Sequence, residues 1–119
     1  MCYKDEVQKK NADKLQKKFE ENNVPLFIRD YFSFMNSEAG KLNYWGIIKN
    51  FLLWCIERND IRKKNISDIT PDDLNEIKTV SAIVFLEDLI KDGISPSTMN
   101  TKKNMLGSFW EYMVQNDYV

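Results

Sequence analysis

The sequence predicts an all-α fold, a small bundle of four to five helices. Three observations carry that expectation. Apolar residues recur at steps of three and four over long windows, as on one face of a helix. Helix-capping residues and prolines punctuate those windows where turns are needed. No stretch of useful length alternates apolar and polar residues as a half-buried strand does.

The elements follow in order. Residues from about Lys4 to Asn22 are mostly charged, with Val7, Leu15 and Phe19 as the few apolar anchors, which predicts a polar helix or arm over residues 1–23. "NNVP" breaks it, and Pro25 suits a first helical position. Phe27, Ile28, Tyr31, Phe32 and Met35 then form one stripe. "NSEAG" reads as the end of that helix, with Gly40 free to turn left-handed. A third helix is expected from about Leu42 to Glu57, with Tyr44, Ile48, Phe51, Leu52 and Cys55 inward. Its second half, "FLLWCI", is apolar nearly all round, so it belongs at the centre. "RNDIRKKNISDI" reads as a basic connector. Thr70, Pro71, Asp72 and Asp73 make a helix start: a cap, a proline in the first turn and acids at the positive end of the dipole. The apolar run continues from Leu74 to Ile90 with a break expected near "KTVS", and Gly93 closes it. The last helix is capped by Ser95 or Ser97 and turns Met99, Met105, Leu106, Phe109, Trp110 and Met113 inward. Phe51, Leu52, Cys55, Leu86, Leu106, Phe109 and Met113 are expected to share one core, with Trp54 and Trp110 mostly buried.

A chain of 119 residues with 43% apolar and 29% charged residues has the size and composition of one globular domain. No apolar run is long enough to span a bilayer, and the first ten residues lack a secretory signal's apolar core. Two cysteines are too few for a disulfide framework. A cytoplasmic setting without a membrane partner is therefore the expectation. The net charge of −1 argues against a strongly basic nucleic-acid binder, but the charge is unevenly spread. Lys41 to Lys64 carries six basic residues against two acidic ones, while residues 65–92 carry seven acids against two lysines. A near-zero total can conceal one basic face.

Catalytic signatures are missing. There is no histidine, which removes the usual acid–base group, the commonest metal ligand and every His-based triad. Glycines are isolated, so no phosphate-cradling loop is written. Adjacent acids such as Asp72–Asp73 do not face each other on a helix. The chain is expected not to be an enzyme by itself, with no catalytic residue, no metal ligand and no cofactor. What remains is a basic, polar tip on the last helix: Ser97, Thr98, Asn100, Thr101, Lys102, Lys103 and Asn104. Hydroxyls, amides and lysines are what phosphate and base-edge contacts require. A helix N-terminus adds free N–H groups. On residue types alone, solvated charge is the commoner explanation.

Pattern along the chain adds to this. "SPSTMNTKKNMLGSFWEYM" resembles the last helix of the core-binding domain of tyrosine recombinases, the phage-type integrases. Ser95, Thr98, Met99, Asn100, Lys102, Leu106, Ser108, Phe109, Trp110, Tyr112 and Met113 follow that family's pattern by identity or conservative replacement. Tyr44, Ile48, Phe51 and Trp54 reproduce the family's steps of four, three and three in an earlier helix. "ISDITPDDL", "LEDLIKDGIS" and "VPLFIRDYFSFM" are similar to its remaining segments. The likeness covers residues 24–119 and is most like the Xer-type members. It implies a SAM-like helical domain that clamps one side of duplex DNA, with Lys41, Asn43, Tyr44 and Lys49 and the tip from Ser97 to Asn104 facing the DNA. It further implies that a catalytic domain of the same longer polypeptide does the chemistry, with other recombinase protomers as possible partners on the DNA. By that reading the chain is a fragment of a longer recombinase. Four positions depart from the pattern. Thr101 and Gly107 stand where arginines are usual, Lys103 where an apolar residue is usual, and Gly40–Lys41 where a hydroxyl is usual. Fewer arginines mean fewer bidentate phosphate contacts, so binding by the isolated chain should be weak. The rival expectation is a stand-alone helical protein–protein interaction module.

Overall fold

The computed structural model describes residues 3–33, 35, 37–77 and 79–119, with the side chains of residues 3–5 and 79 excepted. Cys2, Phe34, Asn36 and Lys78, which belong to segments read above, lie outside the described residues. The described residues form six α-helices and one 3₁₀ turn, with no strand. The all-α class therefore holds, with more helices than the four to five expected. The surplus comes from a packed N-terminal helix and from a break that makes two helices of one.

Helix α1 spans Tyr3–Asn22 and buries Leu15 and Phe19 against α3. Its end is a left-handed Asn23 (φ 47°), after which the Val24 N–H donates to the Phe19 carbonyl. Asparagine tolerates that conformation better than other side chains do. Pro25 takes the capping position of α2 (Leu26–Phe32), one residue earlier than expected. Arg29 ties this corner together. Its Nε donates to the Val24 carbonyl at 2.8 Å, its Nη2 to the Phe19 carbonyl at 3.1 Å, and its guanidinium stacks over the Phe19 ring.

Helix α3 spans Glu38–Glu57, so the expected start at Leu42 and the left-handed Gly40 are both corrected. The Ser37 hydroxyl accepts from the Gly40 N–H at 3.1 Å, and that side-chain cap starts the helix before the glycine. The inward residues are Trp45, Ile48, Phe51, Leu52 and Cys55. Trp45, rather than Tyr44, occupies the centre. It meets Phe19 and Phe32 edge-on at 5.3 and 6.2 Å between ring centroids. Trp54 and Trp110 are only half-buried, against expectation. Trp54 lies between Phe85 and Arg58, and its Nε1 reaches Asp88 at 3.3 Å.

The basic connector is more than a surface loop. Asn59 (φ 65°) reverses the chain, and Ile61, Ile66 and Ile69 are buried around the 3₁₀ turn Ile66–Asp68. Helix α4 (Pro71–Asn75) starts with the expected cap in its reciprocal form. The Thr70 N–H donates to Asp73 at 2.8 Å and the Asp73 N–H to the Thr70 hydroxyl. Helix α5 spans Thr79–Lys91, so the break falls where it was expected. Phe85 takes the buried position, and Leu86, expected in the core, is half-buried at its edge. Gly93 (φ 96°) closes α5 with the Ile94 N–H bonded to the Leu89 carbonyl. Helix α6 spans Pro96–Gln115, capped by Ser95 rather than Ser97, and buries Leu106, Phe109 and Met113 against α3 and α5.

Candidate nucleic-acid interface

Helical phase sorts the tip of α6 into three faces. Ser97, Thr101, Asn104 and Ser108 recur at steps of four, three and four, all are exposed, and none is charged. Asn100 stands exposed beside them, and Thr98 lies on the flank, its N–H held by Ser95. Lys102 is on the inward side, at the phase of Leu106 and Phe109, and is half-buried. Lys103 lies on a third face and lines a cleft against α5. The two lysines thus diverge by about 100°, as adjacent helical residues must.

The α3 residues diverge as well. Lys41 sits on the inward phase near the helix start, half-buried, paired with Glu38 at 3.0 Å, and lines a cleft with α1 and α2. Asn43 points outward. Tyr44 lies on the flank toward Tyr31, near enough to influence that phenol. Lys49 is turned from Tyr44 by about 140° around the helix. The residue that meets the end of the polar stripe is Tyr31 of α2. Its hydroxyl pairs with Ser108 at 2.8 Å and its ring packs on Phe109 and Tyr112. Burial raises the Tyr31 phenol above its usual range, the Ser108 bond opposes that, and Tyr44 adds to it. The structure gathers the hydroxyls and amides of α6 on one stripe. Within each helix the lysines diverge, Lys102 from Lys103 by about 100° and Lys41 from Lys49 by about 80°.

Two of the acids are committed elsewhere. Asp73 caps α4 and lies 3.9 Å from Lys63, and Asp88 receives the Trp54 indole. Among the described residues no three Cys, Asp or Glu side chains converge as metal ligands, and no helix is long and apolar enough to cross a membrane. Burial pushes the Cys55 thiol up to about 12, with Asp60 adding to the rise and Arg58 opposing it, so it is a poor nucleophile.

One feature was not anticipated. Phe51, Ile77, Ile83, Leu86, Gly107 and Trp110 line an open apolar cleft of about 330 Å³, with Lys103 at its edge. The signal was present in "TVSAIVFL", which is apolar around most of its circumference. A short helix of that kind, on the outside of a small bundle, has more apolar surface than its neighbours can cover.

No family model matches the chain, and neither a curated protein nor a solved structure matches it.

Proposed function

We propose that this chain binds duplex DNA as the core-binding module of a tyrosine recombinase, positioning a core site for integration or recombination by a separate catalytic domain. The observation that carries the reading is the exposed, uncharged stripe of Ser97, Thr101 and Asn104 with Asn100 beside it, on a capped helix N-terminus. Hydroxyls and amides there can donate and accept, so they suit base edges as well as phosphates. Lys103, on a neighbouring face, and the long side chain of the half-buried Lys102 are the cations of this tip and would supply the attraction to phosphate. The sequence resemblance over residues 24–119 supports the same reading.

Fluorescence anisotropy with a labelled duplex, titrated with salt, tests it. Weak binding that falls as salt rises is expected. Replacing both Lys102 and Lys103 with Glu should weaken binding on every sequence, with circular dichroism confirming the fold. Replacing Asn100 or Asn104 with Ala should relax preference at one base position, by about 1–3 kcal/mol. No strand cleavage or covalent adduct should form. Equal binding by wild type and the lysine variant at low salt would remove α6 from the interface.

A second reading, a stand-alone protein–protein interaction module, is favoured by the apolar cleft between α5 and α6. The two readings separate in the same titration, because a pure protein-interaction module leaves the duplex free at all salt concentrations.

A further inference from the structure

The cleft between α5 and α6 is a groove with its own ridge beside it. Ile83, 51% exposed, lines the cleft, and Ile90, 46% exposed, follows it one heptad along α5. Its α6 wall runs along Lys103, Gly107 and Trp110 at steps of four and three. At Gly107 an added Cβ would meet no atom within 4 Å, so the wall dips there. The charges are divided as well: Lys103 belongs to the α6 wall, and the exposed Glu87 lies on the outer side of the α5 ridge. A patch that carries a ridge, a groove and both signs of charge is complementary to itself, which is what a two-fold interface requires.

We infer that this chain forms a two-fold dimer in which each copy's Ile83–Ile90 ridge enters the other's cleft beside Gly107, with each Lys103 facing the other's Glu87. The ridge then covers apolar surface that the bundle leaves in water. Closure is complete at two copies, because each patch is used once. The polar stripe of α6 occupies a different face of that helix and stays free; Lys103 is common to both surfaces, so the dimer is tested without DNA and through Gly107 and Ile83, which the DNA-binding reading does not use.

Sedimentation velocity of the full chain without DNA, over a concentration series, tests the inference. A monomer–dimer equilibrium with nothing larger is expected. Gly107→Leu fills the dip from the solvent side without entering the core, and should raise the dimer dissociation constant by about tenfold or more. Ile83→Glu should do the same, with helicity checked by circular dichroism. Lys103→Glu and Glu87→Lys should each weaken the dimer, and combining them in one chain should restore it. A wild-type chain that stays monomeric at every concentration overturns the inference. So does a dimer indifferent to Gly107→Leu, a series of growing oligomers, or a double charge variant no better than the single ones.

Discussion

Two clefts of nearly equal volume, about 320 and 330 Å³, flank this bundle and differ in everything but size. The first, between α1, α2 and α3, is lined by Gln16, Arg29, Glu38 and Lys41 among others. Its charges are already engaged: Arg29 by two main-chain carbonyls, Lys41 by Glu38. The second, between α3, α5 and α6, is almost wholly apolar, and among the described residues nothing covers its exposed rim. Charge in a cleft is therefore not the same as capacity to bind. A cation that seals the junction of two helices has little left to offer a ligand. Bare Ile and Trp surface retains its whole drive for burial.

Three substitutions bear on that contrast. The largest effect is expected at Phe51, which is buried and forms the inner wall of the apolar cleft. Phe51→Ala should cost about 3–5 kcal/mol in urea unfolding, by lost burial and by enlarging a space that the bundle cannot collapse. A loss below about 1 kcal/mol would mean the cleft is able to close, and would break the contrast. Arg29→Ala should cost about 2–3 kcal/mol, since two carbonyls at the α1–α2 corner lose a charged donor. If this variant unfolds like the wild type, the polar cleft's cation is not structural and becomes available for binding. The smallest effect is at Gly107, and its sign is opposite. Gly107→Ala should stabilise the chain by about 1 kcal/mol, through helix propensity with no clash. A destabilisation there would show that the wall is closed by contacts of its own.

How much of this was legible beforehand depends on whether the signal was local. The Thr70–Asp73 cap, the Gly93 turn and the phase of α6 were readable because each depends on a few consecutive residues. The start of α3 was not, because Gly40 is an equally good stop signal and a single hydroxyl, Ser37, decides the outcome. Trp45 was missed for a different reason. α3 is apolar on several faces, so periodicity leaves its inward direction open until α1 arrives with Phe19. The same ambiguity exchanged Phe85 for Leu86. Ile61, Ile66 and Ile69 are buried in a segment whose dense charge is the local signal of a solvated connector. At the candidate site the residue types of the α6 tip were legible. The division of its lysines between separate faces needed the helix direction fixed by Tyr31 and Phe109.

Cys55 has a further consequence. It lies wholly buried on the central helix, its carbonyl accepting the N–H groups of Asp60 and Ile61 where the chain turns away. Its thiol must stay protonated while the bundle is closed and titrates from the ordinary value of 9.0 once it opens. The contribution of this thiol to stability is therefore intact below pH 9 and is lost as the pH rises from there toward about 12, because the opened chain releases a proton that the closed bundle keeps. Near neutral pH an alkylating reagent can reach Cys55 only in molecules that have opened at the centre. The rate at which that one sulfur is consumed becomes a clock, counting how often the bundle comes apart and closes again under conditions where it is almost entirely folded.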